Sequence, residues 1–142
     1  MQFTHILLPV DGSKFSNDAT DYAVYLAKLC HARITAVCCY EWNSNLYEVT
    51  QSAIDELKDK LRKNAEQIIK DTEEKLRSNG IDFESKTVSG PPGTVLTKMI
   101  KTKEFDLVVM GSHGHSDIAG LFLGSVTHKV LNTIYCPVLI VP

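Results

Sequence analysis

Residues 111–126 read GSHGHSDIAGLFLGSV and hold four of the chain's eight glycines. Such a stretch can bind an anion. Glycine lets the main chain approach a ligand closely and visit positive φ, so Gly111 and Gly114 can form a tight turn with N–H groups facing a ligand. Gly124, Ser125 and Val126 then open GSVTHKVLNTI, which has helical spacing. The N–H groups of a first helical turn lack partners within the helix, and the helix dipole makes that end partly positive. Phosphate is the natural ligand there; Ser125 adds a hydroxyl donor, and no lysine is required. A ligand-free glycine-rich loop fits the same residues, although loops of this length are usually functional or disordered.

Competing motifs fail. The chain has no G-x-x-x-x-G-K-[ST] and no G-x-G-x-x-G after its first apolar run, which excludes a P-loop and a dinucleotide fingerprint. Gly111, Ser112 and His113 do not provide the G-x-S-x-G of a nucleophile elbow, because the serine directly follows the first glycine. His113 and His115 form an H-x-H pair, with His128 further on, but no acidic or thiolate partner stands at regular spacing. Orienting the loop by hydrogen bonds suits these histidines better than zinc. Cys30, Cys38, Cys39 and Cys136 form no C-x-x-C pair and read as small buried hydrophobes.

The elements that position the loop follow from patterning. FTHILLPV (3–10) and FDLVVM (105–110) are near-continuous apolar runs, as in strands buried on both faces. ARITAVCCY (32–40), IDFESKTV (81–88) and CPVLIVP (136–142) supply three more, the alternation in 81–88 suiting a strand nearer the sheet edge. Ser16 is a fitting N-cap, with Asp18 in the first turn, for a helix ending near Cys30. A long amphipathic helix, or one broken near its start, spans 50–79, with Ile54, Leu57, Leu61, Ala65, Ile68, Thr72 and Leu76 on its apolar stripe and Asn79-Gly80 as its stop. Pro92 begins a short helix, and the last runs from about Gly124 to Thr133.

The order β-α-β-α-β-α-β-α-β predicts a single α/β domain over 1–142, a parallel sheet with helices on both faces. In such sheets ligands bind beyond the carboxyl ends of the strands, where the winding reverses. If the first and fourth strands are neighbours, Asp11 and Gly111 flank one crevice. Tyr40, Trp42 and Tyr47 suit either a cover for a flat ligand in that crevice or, better, ordinary core or interface packing.

A net charge of −2 gives no electrostatic case for nucleic acid or an anionic membrane. No apolar run approaches bilayer-spanning length, and the N-terminus lacks a secretory pattern, so a cytoplasmic protein is expected.

The spacing Gly111, Gly114, Gly124, Ser125 resembles the G-x2-G-x9-G-S motif of the ATP-binding branch of the universal stress protein family. ILLPVDGS near the start and CPVLIVP at the end look like that family's first and last strands, and the resemblance covers essentially the whole chain. It implies a five-stranded parallel sheet in the order 3-2-1-4-5. It also implies ATP as ligand, with magnesium riding on the phosphate oxygens. Asp11 would then meet the ribose or the metal's water shell, and the backbone at Pro9 and Cys39 the adenine. Met110, Gly111, Ser112, His113, Gly114, His115 and Ser116 would wrap the ribose and phosphates, and Gly124, Ser125 and Val126 would hold the terminal phosphates. Relatives often carry arginine or lysine where this chain has His115. Phosphate charge then rests on the helix terminus and the metal, with Lys129 one turn further on as a cation in reserve.

These readings imply a nucleotide-dependent regulatory or stress-response protein with at most slow hydrolysis. The alternatives are a nucleotide-free interaction protein of the same fold and an adenylating enzyme of a related fold. The latter usually carries a serine-glycine-glycine loop, which VDGSKFS does not match. The apolar last strand, an edge in the implied order, predicts a homodimer through residues 137–142 that Leu139→Pro would break.

Overall fold

The computed structural model describes residues 1–42, 50–115, 117, 120, 122–133 and 135–142. Five strands alternate with four helices: β1 (His5–Pro9), α1 (Lys14–Cys30), β2 (Arg33–Tyr40), α2 (Gln51–Ser78), β3 (Phe83–Ser89), α3 (Pro92–Lys101), β4 (Leu107–Gly111), α4 (Ser125–Leu131) and β5 (Val138–Val141). All pairings are parallel, in the order β3-β2-β1-β4-β5. The winding reverses between β1 and β4, so Asp11 and the glycine loop leave neighbouring strands.

The apolar runs are buried on both faces for the expected reason. Ile6, Leu8 and Val109 face one core with α1 and α2, whereas Leu7, Val108 and Met110 face another with α3. Leu139 and Val141 join the first side, Val138 and Ile140 the second. β3 lies at one edge of the sheet and β5 at the other.

α1 begins three residues earlier than its sequence suggests. Ser13, not Ser16, is the N-cap: its hydroxyl accepts the Ser16 N–H at 3.2 Å. The turn before it selects that serine. Gly12 takes φ +79°, and Asp11 Oδ1 accepts the Ser13 N–H at 2.9 Å. Ser16 is then inside the helix, and Asp18 pairs with Lys14 at 2.6 Å.

α2 runs unbroken from its Thr50 cap, but only its second half covers the sheet: Ala65, Ile69, Thr72 and Leu76 are buried, while Leu57 is exposed. Its 28 residues make a helix about 42 Å long. The eight residues of β2 span only about 26 Å. The first half therefore overhangs the carboxyl ends of the strands, and Leu61, with Ala65 and Ile68 one and two turns further on, borders the space above them. Gly80 supplies the expected left-handed stop at φ +70°.

Candidate functional site

A cavity of about 410 Å³ lies above the carboxyl ends of β1, β2 and β4. That volume is typical of a small-molecule site. Pro9, Val37, Leu61, Ala65, Ile68 and Leu96 form apolar walls, and Asp11, His113, His115, Asp117 and Ser125 bring polar groups. Its lining thus combines apolar side chains with hydrogen-bonding groups.

Of the residues expected at the site, Pro9, Asp11, Cys39, Met110, Gly111, His113, Gly114, His115, Ser125 and Val126 line this cavity. Ser112 and Gly124 stand behind the wall as a joint: the Ser112 carbonyl accepts the Gly124 N–H at 2.7 Å, and the Ser112 N–H donates to Val141 at 2.8 Å. This joint ties the end of β4 to the start of α4. Ser116 lies outside the described residues.

Gly111 differs from its expected role. It is the last residue of β4, opposite Val141, and not part of an exposed turn. A Cβ there would stand 2.7 Å from Phe15 Cβ and 2.9 Å from its carbonyl carbon. Glycine is needed so that the first turn of α1 can lie against the strand. Gly114 faces the ligand space instead, with Asp11 Oδ2 on one side and Asp117 Oδ2 on the other of the place a Cβ would take, at 2.7 and 3.5 Å.

Asp11 joins two loops. Oδ1 accepts from Ser13 N–H, and Oδ2 accepts the His115 N–H at 3.1 Å. His115 reaches back over the first loop, its Nε2 3.5 Å from the Cβ position of Gly12. His113 packs at 5.2 Å from the Phe15 ring, and its Nδ1 meets Ser112 Oγ at 2.9 Å. Both histidines therefore fix the loop, and no group of three His, Cys, Asp or Glu side chains suited to a metal occurs among the described residues.

Lys129 does not serve the cavity. Its ammonium donates to Thr94 Oγ1 at 3.1 Å, and its stem lies over Gly93, pinning α4 to α3. No lysine or arginine is among the described residues that line the cavity. Cys38 and Cys39 sit at its floor as thiols. Burial, with lesser contributions from Cys39 and Asp11, pushes Cys38 up to about 12, and burial pushes Cys39 up to about 11. Tyr40 lines the same cavity; Trp42 lies in an adjoining depression, with Lys58 Nζ 6.0 Å from its ring centre. Tyr47 is outside the described residues.

Sequence reasoning missed Asp117. Its Oδ2 accepts the Gly114 N–H, and its Oδ1 accepts the N–H and hydroxyl of Ser125 at 3.1 and 3.3 Å. Burial alone would raise its pKa, but these bonds and the nearby His113 hold it below the usual carboxylate value. The donors expected to hold a phosphate thus hold a side chain of the same loop. The available signal was an acidic residue a few positions before a helix start that favours anions. The walls from α2 and α3 were missed too, because they come from helices distant in sequence from the loop.

Comparison with known proteins agrees with this architecture. The sequence pattern of the Universal stress protein family matches residues 2–142. The chain is 34% identical to universal stress protein YxiE of Bacillus subtilis over 146 aligned positions, covering 98% of this chain and 99% of YxiE. The universal stress protein UspA structure from Lactobacillus plantarum superposes with a TM-score of 0.90 at 23% identity, covering 100% and 99% of the two chains. A universal stress protein solved in complex with cAMP is 29% identical, with a TM-score of 0.74 and coverage of 100% and 99%. With the β3-β2-β1-β4-β5 sheet and the G-x2-G-x9-G-S loop in place along its whole length, this chain belongs to the universal stress protein family.

Proposed function

We propose that this protein binds an adenine nucleotide, ATP with magnesium, and that occupancy regulates its interactions in a cytoplasmic stress response. The carrying observation is the cavity itself, whose lining combines apolar walls with the Gly114 and Ser125 N–H groups. A related protein, 29% identical, was solved with cAMP, which supports an adenine nucleotide as the ligand class. Adenine would lie between Pro9, Cys39 and the α2 wall, the ribose near Asp11, and the phosphates along His113, Gly114, His115 and Ser116 toward Gly124, Ser125 and Val126. Magnesium would be carried mainly by the phosphate oxygens, with Asp11 supplying a hard oxygen to its water shell.

The site is suited to binding rather than fast turnover. Phosphoryl transfer calls for cationic charge on the transferring group. The described lining offers none from lysine or arginine, and Lys129 is committed to Thr94.

Calorimetric titration is expected to show ATP–magnesium binding in preference to NAD or FAD, and denaturing the purified protein is expected to release an adenine nucleotide. No heat, no thermal shift at low salt and no released nucleotide would reject the reading. Asp11→Ala is expected to weaken ATP binding by roughly 1–3 kcal/mol. It removes one ribose or water-mediated contact and the acceptor that tethers His115. Unchanged affinity in that titration would remove Asp11 from the site.

A further inference from the structure

We infer that Asp117 is a built-in competitor for the phosphate position, so that a nucleotide's phosphates seat only when this carboxylate leaves. The inference rests on the nucleotide reading above and adds a determinant of phosphate specificity to it.

The Asp117 carboxylate bridges both halves of the expected cradle. One oxygen takes the N–H of Gly114, the second glycine of the motif; the other takes both donors of Ser125, the motif serine. It also fills the space left by the glycine between them, since a Cβ on Gly124 would overlap the carboxylate. All of this happens within the cavity, whose lining includes Asp117 and Ser125. The residue is anionic near neutral pH, being held below the ordinary carboxylate value by those same bonds.

Two anions cannot share one set of donors. A phosphate arriving there gains charge-assisted hydrogen bonds, but Asp117 loses its own. The exchange cancels part of the affinity that phosphates would add, about tenfold on the scale of one hydrogen bond to a charged group. The adenine, proposed to lie between Pro9, Cys39 and the α2 wall, takes no contact from Asp117, so this half of the ligand does not compete with it. The wild-type site therefore favours phosphates over plain adenosine by less than its donors alone would allow.

The test is a titration of wild type, Asp117→Ala and Asp117→Asn with adenosine, AMP and ATP–magnesium. Asp117→Ala is expected to bind ATP roughly tenfold more tightly than wild type, the scale of one hydrogen bond to a charged group. Adenosine affinity is expected to stay the same in all three proteins, which also reports that the variants are folded. Asp117→Asn, which keeps an acceptor but loses the charge, is expected to fall between. Equal or weaker ATP binding in Asp117→Ala overturns the inference. So does an equal gain for adenosine and ATP, which would mark a loosened loop. Absence of binding by every ligand to every protein overturns the nucleotide reading itself, and this inference with it.

Discussion

Gly124→Val is expected to abolish ATP binding, with a loss of at least ~100-fold, or about 2.7 kcal/mol. Backbone strain is not the cause. Gly124 has φ −68° and ψ 162°, an extended conformation open to any residue. The cause is space. A Cβ there would overlap the Asp117 carboxylate and stand 3.0 Å from His113 Cα. Asp117 can swing away, but the His113 backbone cannot, because the adjacent Ser112 is tied to both Val141 and Gly124. A valine's two methyl groups would then occupy the region in front of the Ser125 N–H, where either anion must sit. Overpacking of this kind costs about 1–3 kcal/mol of stability. The fold should survive, since domains of this size have roughly 5–15 kcal/mol in hand. Calorimetry with ATP–magnesium, paired with a urea melt, separates the two effects. Wild-type affinity in a folded Gly124→Val protein would show that the phosphates do not approach the start of α4.

Features that depend on a few neighbouring residues were legible in the sequence; those decided by distant contacts were not. The buried runs in β1 and β4, the apolar stripe of α2 and the Gly80 stop all announce themselves through local chemistry. The order of the strands did not follow from residue patterns and needed the family resemblance. Between Ser13 and Ser16, both good caps, the choice fell to the Asp11 carboxylate taking the Ser13 N–H. Gly111 was visible as a glycine, yet its reason is Phe15, almost a hundred positions away. The apolar stripe of α2 was readable, but not that its first half would overhang the sheet and wall a cavity. Asp117 illustrates the same limit at the site. That Gly114 and Ser125 want an anion follows from backbone chemistry, whereas the path that brings a carboxylate back onto them depends on the folded loop.

Two copies of the chain are expected to pair through β5, and Ile140→Pro is expected to prevent that pairing while leaving the sheet intact. β5 is a sheet edge, and Val138, Leu139 and Ile140 remain only partly buried. Side chains on both of its faces are apolar. An edge of this kind invites pairing with another strand. Antiparallel pairing with the same strand of a second copy, about a two-fold axis, is the simplest closed arrangement. α1 also packs on β5, and Tyr22, Tyr25 and Leu29 stand exposed on it at helical spacing. The position of the proline matters, and here the structure corrects the expectation placed on Leu139. The carbonyls of Pro137 and Val141 accept from Val108 and Ser112 at 3.0 and 2.8 Å. Residues 137, 139 and 141 thus turn their main-chain groups toward β4 and the loop after it, and alternation turns those of Val138 and Ile140 outward. Leu139→Pro would remove a donor from the β4 side and weaken the fold, so loss of the dimer would be ambiguous. Ile140→Pro removes an outward donor, and an edge strand tolerates proline there. The competing arrangement covers this edge with the segment at 41–50, most of which lies outside the described residues. Its described start, Glu41 and Trp42, borders α2 and the end of β3, on the opposite side of the sheet. Sedimentation at micromolar concentration, with and without ATP, decides the matter. A wild-type monomer under both conditions, or an Ile140→Pro protein that stays dimeric, would place the interface elsewhere or remove it.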